Sequence, residues 1–485
     1  MYNYDGNPNT IAQQKKHYET QRKQQSYFQR LKFVLIVTLV GVSGYLFDQR
    51  PAVLTANKAL LALGIIWVSL IPALQYLSDR QRPPIPFLPL VGIFYATSFG
   101  LPMFSAGTKV HYLWSLENVS EKALLLTLIG VVAINIAFYC FKYSVFQKIP
   151  ALKLSQSYSI TKLIILLWVL LILHTLFIYI PFIREIPSVG QFLDPTGYIA
   201  YGMFYILYKR GYLPFVQSLI LLGIFLPAEI LTRFASGALA QLMILGLYMV
   251  IIIFQESKRI PIFLITGILI FFFLFNPVKG EFRMLTWGNP QMEQSNPIQK
   301  AKLFINIVIE YYSSSKFTQK SDRENSSLAR TAHILVFSAV IEDTPNRVPY
   351  WGGQTYLPLV TSWIPRAIFP DKPTENTGNQ FGRRYKYLGS TDFTTSFNLP
   401  WIVEMYANFG QVGVLIGMSL VGMLLAFLEQ TLNHSNMKPL EFVIGSTILF
   451  RLVYQESNFS LMTGSVLTLF LSFYLLFKFL LTERR

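Results

Sequence analysis

The sequence predicts an all-α, polytopic membrane protein of about twelve transmembrane helices, with one large helical and irregular external lobe between the ninth and tenth. Three observations lead there. Hydrophobic residues make up 52% of the 485 and charged residues only 14%, against roughly 25% charged in soluble domains. Mean hydropathy is +0.41, and at roughly 20 residues per crossing the apolar half of the chain supplies about twelve spans. The cations of the short loops alternate in density from one loop to the next, as positive-inside insertion requires.

The elements follow in order. Residues 1–32 are a polar tail carrying Lys15, Lys16, Arg22, Lys23, Arg30 and Lys32. A secretory signal has a shorter charged head and a small-residue cleavage site; here Phe33–Phe47 continues directly as a first span. Apolar stretches follow at 54–77, 87–104, 122–141, 161–181, 197–208, 214–231, 235–254 and 260–276. Residues 33–276 thus read as a membrane domain of nine spans. The stretch 197–208 is short and rich in Gly and Tyr, the pattern of a broken or re-entrant helix. The lobe covers 277–401. A second membrane domain, 402–480, holds spans at 402–428, 440–455 and 460–480, and 481–485 is a short tail.

With the basic N-terminus inside, Arg80, Arg82, Lys142, Lys148, Lys153, Lys209, Arg210, Lys258, Arg259 and Lys438 fall in inner loops. The outer short loops hold few cations, and both termini read as cytoplasmic. The net charge of +16 is therefore topological and does not indicate nucleic-acid binding. So apolar a composition also runs against a soluble enzyme and a disordered chain. Cys140 is the only cysteine, which excludes disulfide frameworks, zinc ribbons and iron–sulfur sites. The five histidines show no HExxH spacing and no close pair, so neither a metal site nor a cofactor is expected.

Within the lobe, 297–312 and 327–343 carry apolar residues at helical spacing, such as Leu328, Ala332, Leu335 and Ala339. Ser327 is placed to cap the second. From Pro345 to Pro400 the chain is rich in Gly, Pro and aromatics, too aromatic for a disordered loop. A long structured loop in a membrane protein is usually functional. Its run WGGQTYLPLVTSWIPRAIFPDKPTENTGNQFGRRYKYLG combines fixed backbone with Arg366, Lys372, Arg383, Arg384, Tyr385 and Tyr387, then leads into Glu404-Met405-Tyr406-Ala407-Asn408-Phe409-Gly410. Arginine forks suit phosphate oxygens; the plainer reading is a Gly/Pro surface with solvated arginines.

Topology sharpens the choice. Arg233, Arg283, Arg330, Arg366 and Arg451 all come to the outer level, against the positive-inside trend. Arg451 sits inside an apolar helix, and an intramembrane arginine is a functional candidate by default. Its plainer alternatives are snorkelling to the interface or pairing with Glu456. One anionic ligand at the outer face accounts for all five.

These residues carry a family resemblance. Arg330-x-x-His333, Thr344-Pro345, Val348–Tyr356 (VPYWGGQTY), Ile364-Pro365-Arg366, Pro370–Pro373 (PDKP) and Glu404–Gly413 (EMYANFGQVG) resemble Wzy-type O-antigen polymerases and, more broadly, bacterial oligosaccharide repeat-unit polymerases. The matched stretch covers roughly 280–425. The paired R-x(10)-G loop motif of some members is not reproduced, since Arg366 reaches a glycine one residue late, at Gly378. The resemblance implies glycosyl transfer between undecaprenyl-pyrophosphate-linked sugars at the periplasmic face of a bacterial inner membrane, in a glycosyltransferase C-like fold. Its implied partners are polyprenyl-pyrophosphate-linked oligosaccharides and membrane lipids, with a chain-length regulator and a flippase alongside.

The chemistry needs cations to hold the leaving diphosphate and a base for the acceptor hydroxyl. Arginines can do the first without a metal. Glu404, at the start of a span, and His333, one turn from Arg330, are the candidate bases; each also has a structural reading, as a helix N-terminal carboxylate and a packing histidine. Asp371 is weighed and assigned to a turn cap. Lys279, Arg384, Tyr406 and Asn408 are candidate substrate contacts. Three other functions stay open: an O-antigen ligase-like transferase, a lipid-linked oligosaccharide transporter, and a subunit without catalysis. Transporters tend to show internal repeats with mid-membrane polar sites, and no repeat is visible.

Overall fold

The computed structural model describes residues 8–106, 115–154, 159–186, 189–237, 239–287, 289, 292, 295–313, 331–362, 364, 368–369, 371 and 375–481. The protein is all-helical, 77% helix and without strands among the described residues. In chain order the helices are α1 (Pro8–Asp48), α2 (Ala56–Ser78), α3 (Phe87–Ser105, ending in π and 3-10 turns), α4 (Glu121–Tyr143), α5 (Ile160–Tyr179) and α6 (Val189–Lys209). Next come α7 (Phe215–Ala235, with a π turn at Leu221–Phe225), α8 (Leu239–Ser257), α9 (Ile262–Phe275), α10 (Lys279–Thr286) and α11 (Pro297–Ser313). The chain closes with α12 (His333–Asp343), α13 (Thr377–Arg384), α14 (Trp401–Leu432), α15 (Pro439–Leu449) and α16 (Phe459–Leu481).

Polar punctuation sets several starts. Thr55, Ser120 and Ser159 each accept a backbone N–H three residues on, from Lys58, Ala123 and Lys162, the N-cap arrangement. α15 opens on Pro439, whose missing N–H costs nothing in a first turn. Glu441 accepts from the Lys438 N–H at 2.9 Å and from the Leu154 N–H at 2.8 Å.

Among the described residues, nine helices are long and apolar enough to cross a membrane, and the α9–α10 pair, bent by 62°, would make a tenth. The sequence predicts twelve. Two stretches account for the rest. The segment expected as short, 197–208, belongs to the 21-residue α6, which begins at Val189 and runs through Pro195; its polar first turns lower its hydropathy without ending the helix. The stretch 440–455 is helical only to Leu449, then turns through a 3-10 segment, Phe450–Leu452.

The core is built on α4 and α14, whose close approach uses a glycine: a Cβ on Gly422 would stand 2.4 Å from the Ile134 carbonyl. Small residues let membrane helices touch backbone to backbone. α9 buries none of its residues, and Phe263 is 95% exposed, an apolar surface of the kind lipid tails can cover.

Within 277–401, α11 matches the expected 297–312 helix. The second expected helix, 327–343, is seen from His333; Ser327 and Leu328 lie outside the described residues. α12 is not a surface helix: His333 through Ser338 are buried, and Ser338 Oγ accepts the Ser120 N–H at 2.9 Å. α11 stacks Phe304 on Phe282 and Phe234, centroids 4.2 and 5.0 Å apart.

The Gly-Pro-aromatic segment is anchored to a break in α14. Gly410 has φ 65° and ψ −146°, a conformation essentially reserved for glycine. Backbone carbonyls released there are met from the segment: Trp351 N–H donates to Ala407 O at 3.0 Å and Gly352 N–H to Asn408 O at 3.3 Å, while Gly353 N–H donates to the Asn408 side-chain Oδ1 at 2.9 Å. A broken membrane helix is tolerated where protein re-satisfies its backbone.

Candidate functional site

Two arginines from distant parts of the chain converge on one carboxylate. Arg233, in the last turn of α7, donates through Nε to Glu229 at 2.5 Å, one helical turn back, and lies 3.7 Å from Asp194 in the first turns of α6. Arg451, just beyond α15, reaches the other Asp194 oxygen at 3.5 Å. The Tyr198 ring lies 5.4 Å from the Arg233 guanidinium. His174, on α5, closes the inner side: Nε2 is 3.2 Å from both Glu229 oxygens and Nδ1 is 3.0 Å from Leu193 O. Both imidazole nitrogens face acceptors, so the pair needs a proton on each nitrogen or one on the carboxylate.

Exposure divides the cluster. The Arg233 and Glu229 side chains are 6% and 4% exposed, Arg451 33% and Asp194 40%. The buried pair aims Asp194, while Arg451 and Asp194 offer the accessible surface. An anion approaching there would compete with Asp194 for the Arg451 fork.

Five residues after Arg451 lies a second group. Glu456 Oε2 accepts from Asn398 Nδ2 at 3.0 Å and lies 3.7 Å from His333 Nε2. Burial pushes the Glu456 carboxyl up to about 7, a rise tempered by a hydrogen bond with Tyr454 and the charge of Lys279. Burial pushes His333 down to about 4. At neutral pH the imidazole is therefore uncharged and the carboxyl is poised to take or give a proton. Phe94 and Tyr454 flank His333 with ring centroids 5.8 and 6.5 Å away.

Other sequence-predicted residues lie apart from these two groups, in contacts within the fold. Glu404 is 0% exposed, and its Oε2 accepts the Phe459 N–H at 2.6 Å, fixing the start of α16 rather than that of its own helix. Asn408 donates to Thr355 Oγ1 and to Glu404 O, both at 2.8 Å. Tyr406 is 2% exposed and reaches Thr344 O only at 3.5 Å. Arg283 donates to Gly237 O at 3.2 Å and stacks on Trp287. Arg384 donates to Pro349 O at 2.8 Å and stacks on Trp351. Arg330 and Arg366 lie outside the described residues.

The structure therefore brings together Arg233 with Arg451, and His333 with Lys279 around Glu456. Sequence reading passed over Asp194, Glu229 and His174, and read Glu456 only as a partner for Arg451. A signal existed for two: Glu229 and His174 are isolated polar residues in apolar helices, the same test that singled out Arg451. Asp194 had none, because its helix was read as starting later.

Residues 93–484 match a family model whose description is Domain of unknown function (DUF8712). No curated protein and no solved structure matches the chain.

Proposed function

The chain belongs to the family described as Domain of unknown function (DUF8712), and from its site we propose that it joins polyprenyl-pyrophosphate-linked oligosaccharide units by glycosyl transfer. The observation that carries this reading is the segment 451–456. It holds one half-exposed arginine, tied to a second through Asp194, and one carboxyl titrating near neutrality. Such a pair suits a lipid diphosphate leaving group and a sugar hydroxyl.

In this reaction Arg451 grips the diphosphate of the donor, with Arg233 and Glu229 holding Asp194 in place. The acceptor hydroxyl oxygen bonds to the anomeric carbon of the donor sugar. The bond from that carbon to the diphosphate oxygen breaks with its electron pair, releasing polyprenyl pyrophosphate. Glu456 takes the hydroxyl proton, and neutral His333 keeps its surroundings from adding a second charge. The oxocarbenium-like transition state places growing negative charge on the diphosphate, where the arginine acts.

The test is glycan analysis of a strain lacking the gene. Single-repeat products on the lipid acceptor support polymerisation. Long chains left unattached indicate a ligase, and a normal glycan profile overturns transfer altogether.

A further inference from the structure

At the end of the bundle opposite the arginines, a cavity of about 590 Å³ opens between α1, α2, α3, α4 and α14. That size falls within the range of small-molecule sites, roughly 300–1,000 Å³. Its rim carries Lys32, Tyr76, Asp79, Tyr139, Lys142 and Glu429, and its wall includes Ile71, Leu88 and Phe138. The rim lies where helices end: α2 stops at Ser78, α4 at Tyr143 and α14 at Leu432. In a chain with these apolar helices, that is the headgroup level of one leaflet.

The rim holds two cations and two anions. Lys142 Nζ and Glu429 Oε1 stand 2.6 Å apart and neutralise each other. Lys32 and Asp79 remain, one cation and one anion on the same rim; neither forms a salt bridge with another described residue, and the charges of Arg82 and Lys142 also act on Asp79. A purely anionic headgroup would meet Asp79, and a purely cationic one Lys32. A headgroup with both a phosphate and an amine satisfies both. The stacked rings of Tyr139 and Tyr143, 6.2 Å apart at 11°, give the amine an aromatic surface as well, and the apolar wall receives the upper acyl chains.

We infer that this cavity binds a zwitterionic glycerophospholipid, its phosphate at Lys32 and its amine at Asp79. The site is independent of the glycosyl-transfer reading. Lys32 lies on α1 and Asp79 directly follows α2, whereas the matched family region begins later, in α3.

The test uses the full chain reconstituted in nanodiscs of equal phosphatidylethanolamine, phosphatidylcholine and phosphatidylglycerol, then stripped in mild detergent and weighed by native mass spectrometry. The zwitterionic lipids should be retained over phosphatidylglycerol by roughly tenfold. Asp79→Asn leaves a net cation and should turn the preference toward phosphatidylglycerol. Lys32→Gln should lower retention of the zwitterionic lipids by a similar factor. Equal retention of all three lipids by the unmodified chain overturns the proposal, whatever the variants do. So does an unchanged preference in both variants when gel filtration shows them folded.

Discussion

Arg451 meets Asp194 at 3.5 Å, and through that carboxylate it is tied to Arg233, itself locked to Glu229, which His174 also engages. The accessible arginine is thus held by a buried network that spans α5, α6 and α7. Rigid support of this kind is what electrostatic stabilisation of a transition state requires.

Replacing Arg451 tests the reaction most directly. Arg451→Ala should cost on the order of 2–4 kcal/mol of transition-state stabilisation, roughly a 30- to 1,000-fold fall in elongation. Arg451→Lys keeps charge but loses the planar fork and should stay impaired. Arg347 is the control: it is 72% exposed and pairs with Asp343 one turn back, so Arg347→Ala should leave the glycan ladder intact. Near-normal ladders from Arg451→Ala at matched expression would remove the arginine from the reaction.

Glu456 predicts the pH profile. With its carboxyl near 7, the base form is lost on acidification, so elongation should fall as pH drops through about 7. The folded value lies above the unfolded one, roughly 4.3. Between those limits folding takes up a proton, so this group's contribution to stability is lost as the pH rises. Glu456→Gln should therefore abolish elongation yet raise the thermal midpoint relative to wild type at alkaline pH. A variant that loses activity and stability together at high pH would assign Glu456 a structural role.

Gly410 predicts a folding defect. A Cβ there would stand 2.7 Å from the Tyr350 hydroxyl, and φ 65° with ψ −146° is closed to other residues. Gly410→Ala should destabilise by about 1–3 kcal/mol or more, read as a lower midpoint of thermal aggregation. Adding Tyr350→Phe, which removes the hydroxyl, should recover only part of the loss, because the backbone strain remains.

Orientation is testable by reporter fusions. Fusions after Lys209, Arg259 and Lys438 should report the cytoplasm, and one at Tyr350 the periplasm. A cytoplasmic signal at Tyr350 would place the arginine cluster on the wrong side for a periplasmic reaction.

Composition and hydrophobic run length were enough to read from sequence an all-helical chain with several helices long and apolar enough to cross a membrane, because burial in lipid forces every span to satisfy its own backbone. The level of Arg233 and Arg451 was legible too, since loop charge reports which helix ends share a face. Their convergence on Asp194 was not, because it depends on how α6, α7 and the end of α15 pack side by side. The same holds for Glu404, which reads as a candidate base or as the N-terminal carboxylate of its own helix, and whose bond to the Phe459 N–H at the head of α16 no local pattern announces. Glu456 shows the limit most clearly: its neighbours His333, Asn398 and Lys279 come from three separate segments. Local sequence encodes period, cap and charge, but the desolvation that moves a carboxyl toward neutrality arises only when remote segments close around it.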